Sequence, residues 1–314
     1  MGLPCFARFR GFCLSKYLKI TIIGRDGSVW NVSGPGYGQQ GVILKPRVSQ
    51  LIDAPVKTLF VPGPFGEEYA GKRVQRREMV FTVQVGGVDI DPDTWGEIDA
   101  AWRWAWDYEE QSKMIVEVID GSTGDTVSER YMMLRLLEEP KSYGDRDPYL
   151  TGDEEVVMTV TATFPYWRAD DRVYEWSTSS TSGSYTFTVE NDGDVPVWPR
   201  WSVTAPATWT LPDKSWGNDM YSRAVEDAAR TVPVPALPNN AHASIESDPR
   251  VQTIICVNGY PAQQHWKGKD LLYPVMPGVV GEMPVSFSAA SGGAAVQLRI
   301  PSWYSRPWSV PVVL

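Results

Sequence analysis

Phe164–Val203 reads FPYWRADDRVYEWSTSSTSGSYTFTVENDGDVPVWPRWSV. It holds an aromatic strand end, a polar run rich in Ser and Thr, a fresh strand, a turn and a proline-rich exit. Composition changes sharply across it. Before it stand the longest helical pattern and the longest alternating ribbons of the chain; after it come short β-runs and proline-rich connections. The stretch reads as a domain joint, which gives a first domain over residues 1–170, a linker over 171–183 and a second domain over 184–314.

Length and composition agree with two folded domains. A chain of 314 residues exceeds the usual size of one domain. Hydrophobic residues make up 43%, enough for genuine cores and too many for wholesale disorder. With 27 glycines and 25 prolines, many turns are expected, the mark of a mainly β chain. The net charge of −9 opposes nonspecific nucleic-acid binding, which needs clustered cations to neutralise phosphates, and no specific nucleic-acid binding is expected. No apolar run is long enough for a membrane span, so no membrane insertion is expected. The start, MGLPCFARFRGFCLSKYLKI, has no continuous apolar core for a secretory signal. Its Gly2 resembles a myristoylation start, but Phe6 stands where Ser or Thr is required. Cys5, Cys13 and Cys256 are odd in number and irregularly spaced, so reduced thiols are expected.

In the first domain, Lys19–Ile23 and Ser28–Val32 flank an Asp26-Gly27 turn and read as a hairpin. Gly34-Pro35-Gly36-Tyr37-Gly38 opens no helix and lacks the Gly-Lys-Ser/Thr of a phosphate loop. Pro62–Gly71 is long enough to project as a loop or arm. It leads through Arg76 and Arg77, cations at a strand edge, into Met79–Val85. Asp93–Lys113 is the one convincing helix, with Asp91-Pro92 as cap and first-turn proline. Trp95, Ile98, Trp102, Ala105 and Trp106 share one face, whereas Trp104 points away and is expected at a partner surface. Met114–Ile119 and Glu129–Glu138 form a long hairpin, and Val156–Phe164 is the last strand.

The second domain alternates short strands with turn signals at Asn191-Asp192-Gly193, Asp248-Pro249, Asn258-Gly259 and Pro277-Gly278. That spacing spells a β-sandwich. Chemistry finds little support. Only His242 and His265 could act as a base, and neither sits in a nucleophile motif; no zinc spacing and no spaced calcium carboxylates occur. No enzyme activity, cofactor or metal is expected. Trp201, Trp209, Trp216, Trp266, Trp303 and Trp308 offer faces that could stack on pyranose rings. Trp209, Trp216, Trp266, Trp303 and Trp308 are therefore the candidate glycan or partner contacts.

Phe164-Pro165-Tyr166-Trp167, then Val189-Glu190-Asn191-Asp192-Gly193-Asp194-Val195-Pro196-Val197-Trp198-Pro199, resemble the domain junction of phage distal tail proteins. So do Ser247-Asp248-Pro249-Arg250, Met276-Pro277-Gly278 and Arg306-Pro307-Trp308, and minor tail proteins of actinobacterial phages are similar in the same order. The first twenty residues and the irregular Pro212–Asn240 depart from that pattern. The resemblance implies a tail-tube-like β-domain with a helix, followed by a galectin-like sandwich. It implies a homohexameric ring at the distal end of a long non-contractile tail, folded in the host cytoplasm before joining the virion. Implied partners are the major tail tube protein, the tape measure protein and other tail-tip or baseplate hub proteins. Contact with a host surface glycan is the alternative. Ring closure needs repeated heterologous contacts, which extended arms can supply; Phe65, Tyr69, Arg76, Arg77 and Trp104 are the candidate inter-subunit contacts.

Overall fold

In the computed structural model, which describes residues 16–87, 91–142, 146–266 and 268–308, the segment Trp167–Thr178 is a β-strand and not a linker. Tyr174 lies 6.3 Å from Phe187, while Trp176 packs on Tyr185 and Phe287. Val173, Glu175 and Ser177 point outward. Burial of these alternate aromatics outweighs the polar composition that suggested a linker. Only residues 179–182 turn before the next strand. The chain forms two compact units, Met1–Arg168 together with Ser305–Leu314, and Ala169–Tyr304. Hence the second unit starts earlier than the sequence suggests, and the C-terminal segment belongs to the first. The N-terminal residues, Cys5 and Cys13 among them, lie outside the described residues.

The first unit is built from β1 (Lys16–Ile23), β2 (Val29–Ser33), β3 (Val42–Leu44), β4 (Val56–Gly63), β5 (Gly66–Val74) and β6 (Arg77–Gly86). Helix α1 (Pro92–Trp104) follows, then β7 (Ser112–Asp120), β8 (Thr126–Leu136), β9 (Lys141–Ser142), α2 (Pro148–Thr151), β10 (Asp153–Ala162) and the start of β11 (Trp167–Thr178). Strands run antiparallel in the order β2-β1-β7-β8, and β8 hands over at Leu136 to β10, which continues to β6 and β3. Alternate side chains from both layers, including Val116, Met132, Phe81 and Met158, fill the core. Under α1, Trp102 meets Trp30 and Trp106 edge to face at 5.4 and 5.5 Å, an arrangement favoured by the ring quadrupole.

Helix α1 is shorter than the sequence pattern suggests. Its start is as expected, with Asp91 accepting a bond from Asp93 N at 3.0 Å. It stops because the Asp107 carboxylate accepts from Glu109 N and Glu110 N at 2.7 and 3.1 Å, diverting the backbone into a turn. Ser112 Oγ then donates to Ala105 O and β7 begins.

Arg77 is fully buried at the start of β6. Its guanidinium donates to the carbonyls of Pro165 (2.6 Å), Gln50 (2.6 Å), Leu51 (3.2 Å) and Ser305 (2.5 Å). Burial lowers its pKa to about 10, so it stays charged at neutral pH, with carbonyl dipoles replacing water. Arg130 similarly holds Arg306 O at 2.8 Å. The returning C-terminal segment is thus fastened into the first unit by two arginines.

The second unit continues β11 and adds β12 (Gly183–Glu190), β13 (Arg200–Val203), β14 (Thr208–Pro212), β15 (Thr231–Pro233), β16 (Ala243–Glu246) and β17 (Ile254–Cys256). A short helix α3 (Ala262–His265) precedes β18 (Val280–Ser288) and β19 (Ala294–Tyr304). A sheet in the order β17-β16-β13-β19-β11 faces one in the order β12-β18-β14-β15, with Phe187 and Trp201 meeting between them at 6.3 Å. Asn258-Gly259 makes no hairpin; it leads into α3. The Asn191 turn is a buried hinge-point of the sandwich. Asn191 Nδ2 donates to Val195 O and Val275 O, both at 3.0 Å, and Oδ1 accepts from Gly193 N. Gly193 is required by proximity: a Cβ there would stand 2.2 Å from Trp303 O.

Two stability outcomes are expected. Arg77→Met should lower urea-unfolding stability by on the order of 3 kcal/mol, because four carbonyls lose a charged donor, and Arg77→Lys should recover little of it. Asn191→Ala should cost roughly 2–3 kcal/mol through the carbonyls left unpaired. Tryptophan fluorescence during urea titration reads both.

Candidate functional site

Strands β4 and β5 pair with each other alone and make a two-stranded arm, so Pro62–Gly71 belongs to a ribbon and is not an irregular loop. Pro64 and Phe65 form its tip, with Gly63 facing Gly66 across the turn. Proline suits the first corner because its φ is already set. An irregularity between Leu59 and Phe60, opposite Gly71 at φ 135°, adds twist partway along. Apolar side chains on the arm are left in solvent: Val56, Leu59, Phe60, Val61, Phe65 and Tyr69 are all exposed, Phe65 completely. Phe60 and Tyr69 meet edge to face at 6.1 Å, the main packing the ribbon provides for itself. A free two-stranded ribbon is marginal in water, and a run of exposed apolar groups of this kind marks an interaction surface.

The other first-unit candidates diverge. Trp104, at the end of α1, is 63% exposed. Arg25 covers one ring face at 4.3 Å and donates to Trp104 O at 3.0 Å, while also pairing with Asp107. The indole is therefore held in a fixed pose. Arg76 is exposed and paired with Glu78 at 2.7 Å. Arg77 cannot contact a neighbouring subunit. Its side chain points inward because that position of β6 faces the core, where backbone carbonyls satisfy it. Tyr149 and Leu150 on α2 are among the exposed apolar residues that sequence reading did not single out. The available signal was Asp147-Pro148, whose carboxylate accepts from Tyr149 N at 3.0 Å and starts that turn.

In the second unit the tryptophans are mostly structural. Trp201, Trp209, Trp266 and Trp303 are buried. Trp209 Nε1 donates to Thr204 O at 2.9 Å, and Trp266 Nε1 donates to Lys269 O. Trp216 is half-buried over Gly281, with Lys214 Nζ 5.5 Å from the ring; Trp308 is half-buried and belongs to the first unit. Trp209 and Trp303 enter the core from strand positions and Trp266 from the end of α3, so the five candidates do not form a sugar platform. His242 Nδ1 accepts from Ala205 N at 3.0 Å, and His265 stacks on Tyr260 at 5.6 Å. Among the described residues, no three His, Cys, Asp or Glu side chains are grouped to hold a metal. Cys256 is buried and unpaired, and burial raises its thiol pKa.

No family model matches the chain. It is 26% identical over 344 aligned positions to minor tail protein Gp27 of Mycobacterium phage D29, covering 93% of this chain and 98% of that protein. The corresponding protein of Mycobacterium phage L5 is 25% identical over the same shares. The solved structure of SPP1 Dit (gp 19.1), described as a hub adsorption apparatus paradigm of phages infecting Gram-positive bacteria, superposes with a TM-score of 0.55 at 12% identity. It covers 90% of this chain and 98% of that one. The chain is thus a relative of mycobacteriophage minor tail proteins along nearly its whole length, with the fold of a phage distal tail protein.

Proposed function

We propose that this protein is a structural subunit of a phage tail, and that copies of it close into a ring at the distal end. The exposed apolar arm is the observation that carries this reading. A ribbon that buries nothing against its own unit gains stability only when a neighbour covers it. A second copy is the natural cover, because a head-to-tail contact repeated around an axis closes a ring. Six copies is the number implied by the distal tail resemblance. In this reading the first unit forms the ring and meets the tail tube and tape measure proteins. The second unit carries other tail-tip or baseplate components. Whole-length similarity to minor tail proteins and the Dit fold support the assignment.

The fixed Trp104 indole and the exposed Arg76–Glu78 pair are secondary candidates for the same contact. Tryptophan held rigidly at a surface loses little entropy when a partner covers it. Enzyme chemistry plays no part in this reading, and the relatives are named as tail proteins.

Two experiments test the proposal. Light scattering coupled to size exclusion, with negative-stain imaging, should show ring-shaped multimers of the purified protein, and Phe65→Asp with Leu59→Asp should shift them toward monomer at least tenfold in concentration dependence. A protein that stays monomeric at high concentration, or a variant that still forms rings, overturns the ring reading. Separately, joining Pro55 to Gln75 through a short Gly-Asn turn should remove the arm while moving the thermal midpoint by less than about 4 °C, because the arm contributes little buried area. A collapse of the fold would show that the arm is an internal stabiliser and not an assembly device.

A further inference from the structure

The sandwich of the second unit leaves one strand edge open. β12 ends the sheet β12-β18-β14-β15 and pairs with β18 along its whole length, from Gly183↔Phe287 to Glu190↔Val280, without a bulge. The same register continues to Asn191, whose N–H donates to Val279 O at 3.0 Å. Antiparallel bonding alternates residue by residue, so Gly183, Tyr185, Phe187 and Val189 spend their backbone groups on β18. Ser184, Thr186, Thr188 and Glu190 therefore turn their N–H and C=O groups to the free edge, where among the described residues no strand meets them. The other edges of the sandwich are guarded. On β15 the outward positions are Thr231 and Pro233, because Val234 N donates to Trp209 O and Asp213 N to Arg230 O; proline offers no N–H. On β17, Ile254 N donates to Gln263 Oε1 and Ile254 O accepts from Gln252 Nε2, both at 3.1 Å, while Cys256 O accepts from Gly259 N at 3.0 Å. β11, which ends the facing sheet within this unit, carries Asp170, Asp171, Arg172 and Glu175, charges that discourage pairing. From Gly183 to Val189, β12 has neither charge nor proline.

We propose that β12 receives an added strand: an extended, alternately apolar segment of a different tail protein lies along this edge and continues the sheet. The free backbone groups select that ligand. Donor and acceptor pairs on every second residue, about 6.8 Å apart, match the backbone of another extended chain. Side chains set its pattern. Tyr185, 39% exposed, stacks on Trp176 at 5.0 Å and meets Phe187 edge to face at 5.0 Å. Rings at the open margin favour apolar side chains on that face of the added strand. The opposite face begins at Ser184, Thr186 and Thr188, all exposed, and suits polar or β-branched neighbours. The β12 strand of a second copy is a poorer occupant. Two like strands pair antiparallel about a two-fold axis, a contact that joins copies in twos and adds nothing to a head-to-tail ring. The assignment rests on the reading that the second unit carries other tail-tip components, and it names the edge that holds them and the chemistry of the held segment.

Hydrogen exchange read by mass spectrometry to single amides tests it, comparing the purified full chain with intact tails of its phage. In the purified protein the amides of Ser184, Thr186, Thr188 and Glu190 should exchange freely while those of Tyr185, Phe187 and Val189 are held by β18. In tails the first four should slow at least tenfold. Thr186→Pro removes one edge N–H and no bond to β18, so near-ultraviolet dichroism and ring formation should be unchanged, whereas phage carrying it should lose at least tenfold in plaque titre. Thr186→Val keeps the N–H and should match the parent. Free exchange of the four amides in tails overturns the proposal, as does a normal titre with well-folded Thr186→Pro. Protection already present in the purified multimer also overturns it, because a second copy would then be the occupant. If Thr186→Pro does not fold, the exchange comparison on the unaltered chain decides alone. The same spectra report whether the chain is present in tails at all: its absence sinks the tail reading, while its presence with freely exchanging edge amides sinks strand addition alone.

Discussion

One buried guanidinium governs the first unit. Arg77 is charged, fully buried, and reaches carbonyls from three separate stretches of chain: residues 50–51, Pro165 before β11, and Ser305 after β19. Burying such a charge is costly unless every donor is met. The segments that leave and rejoin the first unit must therefore converge on this point. Trp167 reinforces the arrangement, lying fully buried with its ring 6.0 Å from the guanidinium and its Nε1 donating to Leu51 O at 3.3 Å. The chain can depart for some 136 residues' worth of sandwich, Ala169–Tyr304, and return without leaving the first unit open.

The second unit solves a similar problem with a buried amide and two buried carboxylates. Asn191 pins the turn after β12 to Val195 and Val275, and Gly193 lets the chain pass close to Trp303 O. Asp213 does comparable work for the irregular segment after β14, accepting from Leu272 N and Tyr273 N, while the Tyr273 hydroxyl donates to Asp227 at 2.8 Å. Buried polar groups with full partner sets fix loops that composition alone would leave loose. The arm of β4 and β5 is the opposite case. Apart from the Phe60–Tyr69 contact its apolar groups are left exposed, and that imbalance is what points to assembly.

Much of the fold was legible because hydrophobic period carries it. Strict alternation in Lys19–Ile23, Met79–Val85 and Ser184–Glu190 marked strands, Asp91-Pro92 marked the start of α1, and Phe65, Tyr69 and Trp104 were recognised as surface aromatics. Less was legible where local and distant interactions compete. The Ser/Thr-rich run after Asp170 resembled a linker, yet Tyr174 and Trp176 find aromatic partners on β12 and β18 and make it a strand. The end of α1 was hidden because an Asp that bonds its own following amides carries no distinctive pattern in a helical stretch.

The sequence by itself determined a mainly β chain with two cores, one capped helix and a projecting segment, since these follow from spacing and turn chemistry between near neighbours. Tertiary structure alone decided which aromatics and cations face inward. Arg77 looked like a surface cation beside Arg76 and is the buried anchor; Trp209, Trp266 and Trp303 looked like sugar-stacking faces and are core. The pleat assigns adjacent residues to opposite faces, but which face is covered depends on partners far away in sequence. Residues 164–203 show both sides of this limit: their turn and strand are local, and the conversion of their polar run into a strand depends on rings supplied by β12 and β18.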